Sequence, residues 1–169
     1  MLESTLARRA KHACYVSFAP EDREEAHQFM YTFDNSGEVF LSRDPNLTET
    51  DVLSLQEEAK AIEFLQETGL KDAGVTIALL GKNTWNSYWP DWEIAATLAG
   101  GRGLLAISLP SVGSGWAPAP SRLADNSAYA VTHAYPPTPI HLAKWINAAA
   151  ESTAPVNNER HLLGFSFTR

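Results

Sequence analysis

The chain has 169 residues, and 44% of them are hydrophobic, which is enough to bury one sheet with helices on both faces. Thirteen Lys and Arg against twenty Asp and Glu give a formal net charge of -7, which repels phosphate backbones and anionic membranes. We therefore expect one globular domain with neither a nucleic acid nor a membrane as its partner.

The first strand and the first helix are predicted in the N-terminal part of the chain. After a polar leader, residues 1–11, an apolar run over residues 12–18 is typical of a buried strand. This run contains the single cysteine, Cys14, which cannot form an internal disulfide and is expected to be a small core residue. The segment Pro20–Asp22 predicts the beginning of a helix that ends near Asp34.

The middle of the chain continues the alternation of strands and helices. Val39–Leu41 predicts a short second strand near a sheet edge, and a helical pattern follows over residues 51–68. The continuously apolar run Val75–Leu80 predicts the strand at the centre of a parallel sheet, covered on both faces. The next helix is predicted to begin at Pro90 and to end near Ala99, before two glycines.

The last part of the chain predicts two more strands and one more helix. Residues 104–109 form the fourth predicted strand, and the Ser, Gly and Pro-rich segment 110–120 predicts a loop. Residues 129–133 predict a fifth strand, and a helix is expected over residues 140–151. Residues 152–169 are expected to form a C-terminal tail.

This order of elements predicts an α/β fold over residues 12–151, with a doubly wound parallel sheet of about five strands. The commonest strand order for such a sheet is 2-1-3-4-5. Ligands in these folds bind beyond the carboxyl ends of the strands, near the switch point between strands one and three. The loops after Phe18, Leu41 and Leu80 are therefore the expected places for a functional site.

Several classes of protein are excluded by missing motifs. No G-x-G-x-x-G follows the first strand and no G-x-x-x-x-G-K-S/T occurs, which argues against a Rossmann oxidoreductase or a nucleotide triphosphatase. The five histidines lack the short spacings of a metal site, and the lone cysteine adds no ligand pair, so no metal is expected. The third strand ends in Leu79-Leu80-Gly81, so the phosphoacceptor of a response-regulator receiver is absent.

The location of the protein is also predicted from its sequence. The basic residues near the N-terminus are not followed by an apolar stretch of signal-peptide length. No segment approaches the roughly 20 apolar residues that are needed to span a bilayer. We therefore expect a cytoplasmic protein.

The densest chemical cluster lies in residues 83–93, which contain three of the five tryptophans. Composition alone leaves open that these aromatic residues simply bury against the sheet while Glu93 is a solvated helix carboxylate. Glu93 and Trp89 are four residues apart, so they share a helix face, which we expect to stand above the carboxyl edge of the strands. Such a carboxylate can bind ribose hydroxyls and stabilise an oxocarbenium-like centre, while an indole stacks on a nucleobase or nicotinamide ring. The pair suggests cleavage of an N-glycosidic bond.

Three segments together resemble the TIR-like domains of bacteria, particularly those of Thoeris antiphage systems. They are Tyr15-Val16-Ser17-Phe18, the strand and loop over residues 75–85, and Trp89-Pro90-Asp91-Trp92-Glu93-Ile94; a weaker likeness extends to about Glu151. The resemblance implies a flavodoxin-like fold and, in the enzymatic members, consumption of NAD with release of nicotinamide. The catalytic glutamate of those members lies in the helix after strand three, where Glu93 matches it.

The resemblance also implies the other residues of the site. Ser17 and Phe18 would line the nicotinamide side, Trp89 would pack near Glu93, and Asn83 would bind substrate. The loop that begins at Ser42 and contains Asp44 would cover the nucleotide; it lacks the Pro-Gly pair of animal receptor TIR domains.

The implied activity is that of an NAD glycohydrolase or ADP-ribosyl cyclase. Its product would be a cyclic or modified ADP-ribose, which activates a nucleotide-sensing effector protein. NAD is then a substrate, and no bound cofactor is required. TIR enzymes often complete their sites by assembly, so a homo-oligomer is compatible with the resemblance. Two alternatives remain open, a non-enzymatic TIR-like interaction module and a nucleotide sensor without turnover.

Overall fold

The computed structural model describes residues 12–33, 39–41 and 58–158 of the chain. Within these residues five parallel strands form one sheet in the order β2-β1-β3-β4-β5. The strands are β1 (Ala13–Ser17), β2 (Val39–Leu41), β3 (Val75–Leu80), β4 (Gly103–Ser108) and β5 (Thr132–His133). The predicted flavodoxin-like α/β fold is confirmed, with the fifth strand contributing only two residues.

Helices cover both faces of this sheet. In the described residues the α-helices are α1 (Arg23–Phe33), α2 (Glu58–Glu67), α3 (Tyr88–Ala99), α4 (Ser121–Asp125) and α5 (Pro139–Ala150). Short 3-10 helices lie at Pro20–Asp22, Thr84–Asn86 and Pro110–Val112. None of the described helices is long and apolar enough to cross a bilayer.

The sheet is buried on both faces because successive residues of its strands pack into apolar clusters on opposite faces. Cys14, Val16 and Phe18 pack with α1 and α5 on one face, as expected for Cys14. Tyr15 packs with α2 and α3 on the other face. All six residues of β3 are buried, and β3 pairs with β1 on one side and β4 on the other. The prediction that this strand lies at the sheet centre is confirmed.

Helix α3 is enclosed almost completely. Its ten residues from Trp89 to Leu98 are all buried, because α2, α4 and the sheet surround it. The helix begins two residues earlier than predicted, so Pro90 is its third residue rather than its first. A proline is tolerated there because the first four backbone N–H groups of a helix have no partner within the helix.

The C-terminal half departs from the prediction at the fifth strand. Strand β5 covers Thr132–His133 rather than residues 129–133. The backbone N–H groups of Tyr129 and Ala130 both donate to the carbonyl of Asn126, at 2.9 Å and 2.8 Å. This turn after α4 holds both residues away from the sheet, so pairing with β4 begins only beyond it.

The first part of the predicted tail packs against the domain. Asn158 Nδ2 donates to the carbonyl of Ala95 on α3 at 3.1 Å, and the backbone N–H of Asn157 donates to Asn126 Oδ1 at 2.7 Å. The predicted leader, the start of the helix predicted from residue 51, and residues 159–169 lie outside the described residues.

Candidate functional site

A groove opens at the switch point of the sheet, where the chain leaves β1 and β3. Its volume is about 340 Å³, and one side is formed by Glu21 after β1. The residues after β3 form the rest of the lining: Asn83, Trp85, Asn86, Ser87 and Tyr88. The Trp85 side chain is 47% exposed, so its indole is available to a ligand in the groove. This is the position that the fold class predicts for a binding site.

Hydrogen bonds hold the two loops around the groove together. The Gly81 N–H donates to Thr84 Oγ1 at 2.8 Å, and the Thr84 hydroxyl donates to Asp22 Oδ2 at 3.2 Å. Gly81 must lack a side chain here, because a Cβ would collide with the Asp22 carboxylate. Asn83 Nδ2 donates to Glu21 Oε2 at 3.3 Å. Asn83 therefore lies in the groove and joins the loop after β3 to the loop after β1.

The pKa of the Asp22 carboxyl group is shifted by its burial and by its acidic neighbours. Partial burial raises the pKa of Asp22, and the nearby charges of Glu21 and Glu25 raise it further. The hydrogen bond from Thr84 acts in the opposite direction, because it favours the ionised carboxylate. The charged form of Asp22 is therefore disfavoured in the folded protein.

Glu93 lies in the interior of the protein, between α3 and the sheet. It has no exposed surface, and the Tyr15 hydroxyl donates to Glu93 Oε1 at 3.0 Å. Tyr15 is also fully buried, and it lies in the middle of β1, opposite Thr76 of β3. A phenol from the central sheet therefore holds the carboxylate that the sequence singles out.

The position of Glu93 differs from the expected one above the edge of the sheet. Helix α3 begins at Tyr88, beside the groove, and runs back over the sheet. Glu93 is five residues further on, which in an α-helix is about 7.5 Å along the axis. Glu93 therefore lies below the edge of the groove. Neither Glu93 nor Trp89 is among the residues that line the groove.

Two of the three tryptophans in residues 83–93, Trp89 and Trp92, lie in an aromatic core. Trp89 is 2% exposed and Trp92 is fully buried, and their ring centres are 6.1 Å apart. The ring of Tyr88 lies 5.4 Å from that of Trp92, so aromatic contacts extend from the groove into the core. The alternative drawn from composition is therefore correct for the buried aromatic rings, but Glu93 is not a solvated carboxylate.

Ser17 and Phe18 face opposite sides of the sheet. Ser17 is fully buried on the same side of β1 as Tyr15, and its hydroxyl has no hydrogen-bond partner within the described residues. Phe18 packs in the core beneath α1 and α5, with its ring edge-on to His27 at 6.4 Å. The structure therefore brings Ser17 to the side of Glu93 and puts Phe18 on the other side, while Asp44 lies outside the described residues.

A buried ion pair formed by Asp91, two residues before Glu93 in α3, was not predicted from the sequence. Arg122 Nε and Nη2 donate to the two oxygens of Asp91 at 3.2 Å and 3.4 Å, with both side chains at most 4% exposed. Arg122 Nη1 also donates to Asn158 Oδ1. Asp91 and Arg122 are 31 residues apart, so no local spacing reveals this contact. The contact of Tyr15 with Glu93 was missed for the same reason, because it spans 78 residues.

Comparison with known families agrees with this architecture. The family model described as the TIR-like domain of the Thoeris protein ThsB matches residues 15–114. The matched segment contains most of β1, the whole groove, and α3 with Glu93. A search of curated proteins gives no match. Because the family model covers more than half of the 169 residues, the chain belongs to the family of Thoeris ThsB TIR-like domains.

Proposed function

We propose that this protein consumes NAD, cleaving the bond between nicotinamide and ribose and converting the remainder into a cyclic or modified ADP-ribose. Its family indicates a role in antiphage defence. In that setting the product is a signal for a nucleotide-sensing effector protein. Glu93 is the proposed catalytic residue.

The observation that carries this proposal is the complete burial of Glu93, whose Oε1 accepts a hydrogen bond from Tyr15, a member of the apolar core beneath α3. A buried carboxylate costs folding free energy, and an apolar side chain of similar size would pack there without that cost. Ionisable groups in such places are typical of functional sites, where they are kept for their chemistry. A catalytic role would explain why the fold retains Glu93 at this cost.

The chemistry of the proposed reaction suits a carboxylate in this environment. Departure of nicotinamide leaves positive charge on the ribose carbon, as in the cleavage of a glycosidic bond. A negative group stabilises that charge, and it acts more strongly in an interior of low dielectric constant than in water. Trp89 lies one turn before Glu93 on α3, and its indole would offer an apolar ring surface to the departing base once the covering segment moves.

We infer that the product is cyclic rather than linear. Because the side chain has no exposed surface, NAD can reach it only when a segment that covers it moves. Closure around bound substrate would exclude water from the reactive centre. A nucleophile within the ADP-ribose itself would then capture the ribose carbon, which gives a cyclic product.

Replacement of Glu93 by Gln tests this assignment. Because the amide keeps the shape and removes the charge, we expect nicotinamide release to fall roughly 100-fold or more while the protein stays folded. Nicotinamide is measured by chromatography after incubation with NAD, with and without phage lysate. The matched control is Glu151→Gln, which neutralises an exposed carboxylate after α5. Normal turnover by Glu93→Gln would contradict the catalytic role.

The groove supports a second candidate function, that of a nucleotide sensor without turnover. The exposed Trp85 indole, with the amides of Asn83 and Asn86 beside it, can stack a nucleobase and hydrogen-bond to its edge. This function predicts saturable binding of NAD or ADP-ribose without any product. An interaction module predicts neither binding nor product under any condition.

The role of Trp85 is tested by its replacement with Ala. Stacking of one base contributes about 1–3 kcal/mol, so we expect the Kd for NAD to rise roughly 5- to 150-fold. Isothermal titration calorimetry on the Glu93→Gln protein measures this Kd without turnover. Trp116→Ala is the control, because Trp116 is 64% exposed and does not line this groove. Equal affinities of the two variants would show that the groove does not bind the base.

A further inference from the structure

We propose that Tyr15 is a positioning residue, which fixes the orientation of the Glu93 carboxylate for the reaction. This inference rests on the proposed cleavage of NAD. The Tyr15 hydroxyl lies 3.0 Å from Glu93 Oε1, and both side chains are fully buried. The family resemblance assigns no role to Tyr15, and the contact joins residues 78 positions apart.

Tyr15 is held on its own side of the contact. Its backbone lies in β1, which pairs with Leu41 of β2 on one side and with Thr76 of β3 on the other. The aromatic ring lies against Gly69, where a Cβ would be 3.4 Å from Tyr15 Cε2 and 3.5 Å from the hydroxyl oxygen. The strand and the close backbone together restrict where the phenol can point.

The backbone of α3 at Glu93 is also held in place by hydrogen bonds. The Thr97 hydroxyl donates to the carbonyl of Glu93 at 2.8 Å and shares a second hydrogen bond of 2.7 Å with the Thr76 hydroxyl. Thr76 is the residue of β3 that lies opposite Tyr15. The helix that carries the acceptor is therefore joined to β3, the strand that pairs with β1, at the level of the donor Tyr15.

A carboxylate held in this way is preorganised, because its orientation is already fixed before the substrate reacts. A glutamate side chain has several rotatable bonds, and ordering them during the reaction would cost conformational entropy. Sites built on strands and helices hold reacting groups more accurately than sites on loops, and a displacement of about 1 Å can cost roughly 100-fold in rate.

The test compares Tyr15→Phe with a matched loss of a buried phenol elsewhere, Tyr129→Phe. The Tyr129 hydroxyl donates to the carbonyl of Arg102 at 2.8 Å, and its ring is 8% exposed. For nicotinamide release we expect Tyr15→Phe to lower kcat roughly 10- to 100-fold with KM changed less than about threefold. Tyr129→Phe should leave both constants within about twofold. An unchanged kcat in folded Tyr15→Phe would overturn the proposal.

A double-mutant cycle of unfolding tests the contact between Tyr15 and Glu93 without a measurement of activity. Tyr15→Phe is made in the natural chain and in Glu93→Met, whose side chain cannot accept this hydrogen bond in the same way. We expect Tyr15→Phe to lower the denaturation midpoint in the natural chain and to leave it nearly unchanged beside Glu93→Met. Equal shifts in both backgrounds would show that Tyr15 does not fix Glu93. If the natural chain releases no nicotinamide, the proposed function fails while the cycle still tests this contact.

Discussion

Asp22 connects the first loop of the site to the loop after β3 through Thr84, and its charge opposes folding. Burial raises the pKa of its carboxyl group in the folded state above 3.8, the ordinary value for aspartate. As the pH falls through the raised pKa, the folded protein binds a proton before the unfolded chain does. The contribution of Asp22 to stability therefore increases on acidification and becomes constant below the unfolded value.

Asp22→Asn should accordingly stabilise the protein at neutral pH. The amide removes the unfavourable charge, and its oxygen can still accept from the Thr84 hydroxyl. We expect the gain in thermal midpoint over the natural chain to be largest near pH 7 and to shrink toward pH 4. The control is Asp72→Asn at an exposed position. A gain that stays constant across this pH range would contradict the assigned cause.

The residues of the candidate site were predictable to different degrees. Glu93, Trp89 and Asn83 stand out because polar and aromatic residues are dense around them in the sequence. Tyr15 does not, because a tyrosine in an apolar run is simply a good strand former. Its role depends on α3 crossing over β1, a contact that local periodicity does not contain. The opposite directions of Ser17 and Phe18 do follow from the alternation of side chains along the chain at a strand end.

Helix α3 depends on a charged contact that is buried with it. Asp91 in its first turn accepts two hydrogen bonds from Arg122 of α4. Removal of one partner from a buried ion pair leaves the other charge without compensation in a medium that solvates it poorly. The pair therefore fixes α4 against α3, two residues from Glu93.

Arg122→Met measures this dependence. Because the Asp91 carboxylate would lose its guanidinium, we expect the free energy of unfolding to fall by about 3–5 kcal/mol. Denaturation in guanidinium chloride, followed by tryptophan fluorescence, gives this value. Arg23→Met is a suitable control, since Arg23 is exposed at the start of α1. A loss below 1 kcal/mol would mean that the pair adds little to the packing of the two helices.

Most elements were predictable because each one carries its own signal. The continuous apolar run of β3 and the glycines after α3 are local features of the sequence. Strand β3 ends at Leu80 and helix α3 ends at Ala99, as these features predict. The start of α3 was misjudged because a proline within the first turn and a proline at the first position leave the same pattern. The fifth strand was predicted too long because Tyr129 and Ala130 are apolar. Their turn with Asn126 accompanies the hydrogen bonds of Asn126 to the distant Asn157, which an apolar pattern does not contain.

On the scale of the whole molecule, residues beyond the last helix make contacts with the domain. Four hydrogen bonds attach Asn157 and Asn158 to α3 and α4: those of Asn158 with Ala95 and Arg122, and two between Asn157 and Asn126. A sequence-based boundary after Glu151 follows the end of the last helix, and it omits these contacts because they join distant parts of the chain. We therefore expect residues 152–158 to contribute to the stability of the domain.

Two shortened chains test where the folded unit ends. At about 0.5–1.5 kcal/mol for each hydrogen bond, a chain ending at Glu151 should lose roughly 2–6 kcal/mol relative to a chain ending at Asn158. Urea denaturation of both proteins measures the difference. Equal stabilities would show that residues 152–158 add nothing to the domain.

The two-residue length of β5 has a consequence for assembly. An outer strand with many unpaired backbone groups invites another chain to extend the sheet, and very short outer strands are one way in which proteins prevent it. Because only Thr132 and His133 pair in register with β4, this edge of the sheet has few backbone groups with which an added strand could pair. If copies of the chain associate on that side, side chains such as Val131, which is 53% exposed, must provide the contact rather than a shared backbone ladder.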